Sequence, residues 1–304
     1  MWATGFPVLD EYLGGGLRAG ELTLLGGPQG LGKTTLALQL LRNVAVSGSA
    51  AVYFSYEHDA VTLLAKLLAL ESGEARGIDG LSLARVRSVL QQTGEASDLL
   101  AAFSAVPGGS DAVAAVTSYA DRLFIHESSG KHTDLDQVQA VVSEVRSRTG
   151  RPPVVVLDYL QKIPLPGSTE VEEERVTRVV EAVKDLSLEL QVPILAIVAA
   201  DKEGITAGKR LRTSHLRGSS ALAYEPDVVL ILNDKYDVVA RHHLVYDLGN
   251  AERFRGWAIL TIEKNRGGLN NVDLEFRKRF EQSRFEVGGQ PVEEQLVDER
   301  VFIE

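Results

Sequence analysis

Short apolar runs punctuate the chain at Leu22 to Leu25, Ala51 to Tyr56, Leu123 to Ile125, Val154 to Leu157, Ile194 to Val198, Val228 to Leu232 and Trp257 to Ile262. Most are apolar on both sides of the alternation, which is how strands read when helices cover both faces of a mostly parallel sheet. Between them the period changes. From Val171 to Gln191, the residues Val176, Val179, Val180, Val183 and Leu190 recur on one helical face. Strands alternating with helices predict an α/β fold, a doubly wound sheet with helices on both faces.

Two stretches interrupt this order. Ser72 to Tyr119 is rich in Ala, Ser, Gly and Leu and predicts a helical excursion, broken at Pro107-Gly108-Gly109. Gly204 to Tyr224 carries Lys209, Arg210, Arg212, His215 and Arg217 with no acidic residue, and its Gly and Ser content predicts a mobile basic loop. The acidic tail, Gly288 to Glu304, is expected at the surface.

At 304 residues and 44% hydrophobic content, the chain can bury one large core, so a single domain over residues 1–304 is expected. The net charge of −10, from 42 acidic against 32 basic residues, opposes a surface that is basic all over. Any nucleic-acid site must therefore be local. With no cysteine, disulfides and cysteine-held zinc are excluded, leaving metals held by oxygen or histidine. No apolar run approaches a membrane span and Met1 to Pro7 lacks the features of a signal peptide, so a cytoplasmic chain without membrane partners is expected.

Gly27-Pro28-Gln29-Gly30-Leu31-Gly32-Lys33-Thr34 has the spacing G-x-x-x-x-G-K-[ST], and it lies between a strand-like run and an amphipathic one. Backbone N–H groups at the glycines and the start of the next helix suit the phosphates of ATP. Lys33 adds a charge near the β- and γ-phosphates, Thr34 a hydroxyl for Mg²⁺, and Thr35 extends the polar rim. Asp158 ends the run Val154 to Leu157, where a carboxylate can hold the magnesium through water. Glu57 follows the run ending at Tyr56, where it can face the same crevice and orient or deprotonate the attacking water. Its alternative role is to cap a helix, a task Asp59 can equally perform.

With these residues in place, the chain resembles the ATPase domain of DnaB-type replicative helicases, a branch of the RecA-like P-loop ATPases. The resemblance runs through Gly14-Gly15-Gly16-Leu17, Gly30 to Thr35 and Phe54-Ser55-Tyr56-Glu57. It continues through Leu157-Asp158-Tyr159-Leu160-Gln161, Leu216-Arg217-Gly218-Ser219 and Glu263-Lys264-Asn265-Arg266-Gly267-Gly268. It implies a RecA-like fold, Glu57 as catalytic glutamate, and Arg266 as an arginine finger reaching the γ-phosphate of a neighbouring subunit with Lys264 as companion. It also implies self-association into a ring, a hexamer in that family, and a basic loop facing single-stranded DNA. Lys209, Arg210, Arg212 and Arg217 would then follow the DNA phosphates without reading sequence.

The pattern departs from the family in three places. The phosphate loop begins within thirty-odd residues of Met1, so an ATPase core standing without the amino-terminal primase-binding domain and linker helix is expected. Val198-Ala199-Ala200 stands where the family carries a Ser-Gln pair that senses the γ-phosphate. Leu70 to Leu123 matches poorly and is a candidate surface for another partner. Two functions follow: a ring-forming ATPase acting on single-stranded DNA, or a DNA-independent ATPase that uses ATP to control oligomerisation or binding of a protein partner. A nucleotide-binding protein without hydrolysis ranks third.

Overall fold

The computed structural model describes residues 1–92, 96–165, 171–201, 209–245 and 248–299. Every apolar run forms a strand: β1 Leu22–Gly26, β2 Ala51–Ser55, β3 Leu123–Glu127, β4 Val154–Asp158, β5 Ile194–Ile197, β6 Val228–Asp234 and β7 Trp257–Asn265. Three further strands, β8 Val272–Arg279, β9 Arg284–Phe285 and β10 Gln290–Pro291, complete a 10-stranded sheet. The order is β10-β8-β7-β6-β1-β5-β4-β2-β3, with β9 paired to β8. From β3 to β6 all neighbours are parallel, whereas β6, β7, β8 and β10 pair antiparallel.

Successive strand residues enter opposite layers, as a period of two requires. Leu25, Tyr53, Val156, Ile197 and Leu230 pack with Leu36 and Leu40 of the helix Lys33–Val46. Leu24, Phe54, Val155, Ala196 and Ile231 pack with Val142 of the helix Leu135–Thr149 and Val180 of the helix Glu172–Leu190. Each fully buried Leu or Val contributes about 1.5–3 kcal/mol by leaving water. Both faces need apolar residues, so these strands read as continuous runs.

The helical excursion begins earlier than its composition suggests. It comprises Ala60–Arg76, Leu83–Gln92, Ala96–Ser104 and Gly109–Ser118. Leu68, Val86, Val89, Phe103 and Ala112 give it a small core of its own. The expected break is real: Gly108 adopts φ +80°, and a Cβ on Gly109 would stand 2.1 Å from the Phe103 carbonyl oxygen. Arg42 holds the excursion to the helix Lys33–Val46 through a two-pronged pair with Glu71, at 2.6 and 2.5 Å. On the other side, Gln282 donates to the Gly77 carbonyl at 2.6 Å, and Arg284 pairs with Glu74 at 3.4 Å.

The acidic tail is at the surface as far as residue 299, but it is strapped down. Pro291 pairs with Leu274, Glu294 bonds Lys235 at 2.6 Å, and the Val297 N–H donates to the Val238 carbonyl at 2.8 Å. Residues 300–304 of that tail lie outside the described residues. Among the described residues, no helix is long and apolar enough to cross a membrane.

Candidate active site

At the carboxyl edge of the parallel strands, the loop between β1 and the helix Lys33–Val46 borders a cleft of about 630 Å³. Gly30 and Gly32 hold φ +79° and +88°, a backbone region that other residues rarely enter. A Cβ at Gly32 would come within 2.8 Å of the Phe280 ring, whereas one at Gly30 would meet nothing. The first-turn N–H groups of the following helix have no acceptor within it, so loop and helix end form an anion cradle. Leu31 turns its side chain into the core, leaving only its backbone for a ligand. Lys33 Nζ folds back onto the carbonyls of Gly27 and Pro28, at 2.7 and 2.9 Å. Burial pulls its ammonium below the ordinary lysine value, against the opposing fields of Asp158 and Glu57.

The strand-ending carboxylates converge on that cradle. Asp158 Oδ2 accepts hydrogen bonds from Thr34 Oγ1 at 2.8 Å and from the Tyr53 hydroxyl at 2.6 Å. Its other oxygen, Oδ1, is buried without a partner among the described residues. Burial raises the Asp158 pKa above its ordinary value, only partly offset by the Tyr53 and Thr34 hydrogen bonds. A bare carboxylate oxygen beside a threonine hydroxyl fits Mg²⁺ and its water shell. Glu57 is exposed and lines the same cleft. Asp59 performs the capping task, accepting from the Thr62 N–H at 2.7 Å, so Glu57 is not the cap.

Several cleft residues escape the sequence pattern. Lys66 comes from the helix Ala60–Arg76 and Phe280 and Ser283 from the turn after β8, while Tyr53, from mid-strand β2, is fully buried and acts on the cleft only through Asp158. Lys66 has a visible signal, a single cation within the run Leu63 to Leu70. Ala199 and Ala200 line the cleft without a side-chain donor. The Ala199 N–H instead donates to Gln161 Oε1 at 3.2 Å, and Gln161 Nε2 donates to the Arg217 carbonyl at 2.9 Å. The end of β4 is thereby tied to the end of β5 and to Arg217.

Arg266 and Lys264 lie on the other rim of the sheet. β7 runs antiparallel to β6 and brings Asn265 beside Val228, at the strand starts. With five residues in β1 at about 3.3 Å each, that rim is about 15 Å from the phosphate loop. Lys264 Nζ and Arg266 Nη2 meet at the Tyr224 carbonyl, at 2.8 and 2.7 Å, and Arg266 Nη1 pairs with Asp227 at 3.2 Å. The two cations do share a direction, but neither faces the cleft of its own chain.

The basic stretch is less free than its composition predicts. Arg210 is only 4% exposed, bonded to Thr261 at 3.0 Å and paired with Asp273. It is a packed structural cation, which corrects its expected place on a DNA-facing loop. Arg212 is half-buried between Glu263 at 3.2 Å and Asp298 at 2.5 Å. Lys209 forms a backbone bridge with Glu299. Arg217 is exposed, pairs with Glu172 at 2.8 Å and lines the phosphate cleft. Residues 202–208, which include the start of the expected loop, lie outside the described residues.

Comparison with known proteins bears on the family and the fold. The family described as DnaB-like helicase C terminal domain matches residues 2–286. The replicative DNA helicase DnaB of Haemophilus influenzae is 28% identical over 286 residues, covering 93% of this chain and 54% of the relative. That of Pasteurella multocida is 27% identical over 290 residues, covering 93% and 55%. The chain thus spans about half the length of the curated relatives it matches. Among solved structures, one ATPase domain superposes with a TM-score of 0.74 at 17% identity, covering 93% of this chain and 89% of that one. A DnaB-like replicative helicase solved for its interactions with primase gives 0.75 at 16% identity, covering 93% and 60%. Likeness at that identity shows the fold, which is RecA-like. By its sequence match over nearly the whole described length, the chain belongs to the family of DnaB-like helicase C-terminal domains.

Proposed function

We propose that the chain is a magnesium-dependent ATPase that associates head to tail into a ring and acts on single-stranded DNA. The reading rests above all on the Thr34–Asp158 pair, with its bare Asp158 oxygen, at the mouth of the phosphate loop and within one cleft with Glu57. Backbone N–H groups of Gly30, Leu31, Gly32, Thr34 and Thr35, with the Gly27 turn, bind the phosphates, and Lys33 leaves its two carbonyls to meet the β- and γ-oxygens. Thr34, and Asp158 through water, would hold Mg²⁺, which would supply charge neutralisation at the phosphates. Glu57 orients the attacking water and accepts its proton, for in-line displacement at the γ-phosphate. Arg266, with Lys264 beside it, serves the cleft of the next subunit, because the sheet separates it from its own.

Lys209 and Arg217 are the cations of the basic stretch best able to follow DNA phosphates; Arg212 joins them only by leaving Asp298. A second reading, DNA-independent turnover coupled to assembly or to a protein partner on the helical excursion, draws support from Ala199-Ala200 and from the burial of Arg210. ATP turnover measured with and without single-stranded DNA, alongside the mass of the assembly, separates the two. Stimulation by DNA in a multi-subunit species supports the motor; DNA that neither binds nor stimulates refutes it. Arg266→Ala should keep nucleotide binding and lower turnover about 10³-fold or more. Mixing Arg266→Ala with Glu57→Gln subunits should restore activity, with subunit exchange verified by mass.

A further inference from the structure

Lys66 is a cation in search of an anion. It rises from the helix Ala60–Arg76 between Leu63 and Leu67, both buried in the core beneath it, and its ammonium emerges at the wall of the phosphate cleft. Its contacts there are two distant hydroxyls, Thr35 Oγ1 and Ser283 Oγ, each at 3.5 Å. Among the described residues, no carboxylate lies within ion-pair distance of it. Among the charges acting on it are Arg87, of like sign, and Asp158, whose Oδ2 is already engaged by Tyr53 and Thr34. Burial lowers its pKa, with Arg87 adding to the effect and Asp158 opposing it only in part. An ammonium offers three donors, and a partly buried charge is stable only when paired.

Position selects the anion. Thr34 and Thr35 are successive residues at the start of one helix, about 100° apart around its axis. Thr34 turns to Asp158, on the flank shared with Glu57, where the transferred phosphate reacts. Thr35 turns to the other flank, toward Lys66 and Ser283, with Phe280 alongside. We infer that Lys66 binds the non-transferred phosphates of the nucleotide, closing on them over Thr35 as a second lysine opposite Lys33. This rests on the cleft being a nucleotide site, as proposed above. It assigns a phosphate contact to a residue outside the loop motif, carried on the helix that roots the excursion.

The experiment is equilibrium binding of Mg-ADP and of a non-hydrolysable Mg-ATP analogue to wild type, Lys66→Met, Lys66→Arg and Lys33→Ala. Lys66→Met should weaken both ligands by about 10- to 100-fold, with their affinity ratio unchanged within a factor of three. Lys66→Arg should stay within a few-fold of wild type, and all variants should keep the wild-type melting profile. Unchanged binding by Lys66→Met overturns the assignment. Loss confined to the ATP analogue overturns it too, since the charge would then belong to the γ-phosphate. Equal loss from both lysine variants accompanied by a collapsed melting transition counts as a packing role and refutes it. If wild type binds neither nucleotide, the nucleotide-site reading itself fails. If Lys33→Ala loses binding while Lys66→Met does not, only the present inference falls.

Discussion

Removing a single oxygen tests how the carboxylate at the end of β4 is held. Tyr53 is fully buried, and its hydroxyl donates to Asp158 Oδ2 at 2.6 Å. Tyr53→Phe keeps the ring in the core and deletes one charge-assisted hydrogen bond, worth about 1.5–3 kcal/mol to stability against about 0.5–1.5 for a neutral one. The difference makes the loss depend on pH. Asp158 has a folded-state pKa raised above its ordinary 3.8 by burial, so the folded chain binds its proton more readily than the unfolded one. Its contribution to stability is therefore fully present below pH 3.8 and is lost as pH rises through the folded value. Without the Tyr53 hydroxyl the folded value rises further, and the neutral-pH penalty deepens. Urea unfolding of wild type and variant from acid to neutral pH should show a loss of about 1.5–3 kcal/mol at pH 7, shrinking by about 1 kcal/mol once Asp158 is protonated. A loss independent of pH, or one below about 0.5 kcal/mol at pH 7, would refute the hydrogen bond to a carboxylate.

Other substitutions probe the frame around the site. Gly32→Ala places a Cβ at φ +88° against the Phe280 ring, and should cost about 1–3 kcal/mol in urea unfolding while weakening nucleotide binding. Glu71→Gln strands the Arg42 guanidinium and should cost about 3–5 kcal/mol, whereas Arg42→Met with Glu71→Leu should recover most of it in the same assay. Arg210→Met should lower stability by about 1–3 kcal/mol in denaturant and leave single-strand affinity, measured by anisotropy on the folded variant, unchanged. A variant of unaltered stability that binds DNA more weakly would return Arg210 to the DNA-facing set.

The parallel half of the sheet was legible because both of its faces are apolar, so Val154 to Leu157 and its counterparts stand out from the chain. Beyond β7 the antiparallel end was not. In β8, Leu274 and Phe276 are buried but alternate with Asp273, Glu275 and Arg277, and Glu275 is itself buried against Lys235. A strand edge compensated by ion pairs reads as a charged loop. The same physics hid the fate of the basic stretch: Asp273, Glu263 and Asp298 are far from Arg210 and Arg212 in sequence, and only the fold brings them together. The phosphate loop, Glu57 and Asp158 follow strand ends, so local order was enough to find them. Lys66, Phe280 and Ser283 reach the cleft, and Tyr53 reaches Asp158, from separate turns of the chain, and no spacing rule connects them.

The placement of Arg266 constrains symmetry. Cleft and cationic rim lie at opposite ends of the same strands, so a head-to-tail contact can join one copy's rim to the next copy's cleft. Two copies related by a two-fold axis must present one identical patch to each other. If Arg266 completes a neighbour's cleft head to tail, the contact joins two different surfaces. Each added copy instead repeats the same rotation, closing a ring when the rotations sum to a full turn and growing a helix when they do not. The choice between a closed assembly and an open filament then lies in a few degrees of subunit tilt, not in the chemistry of the cleft.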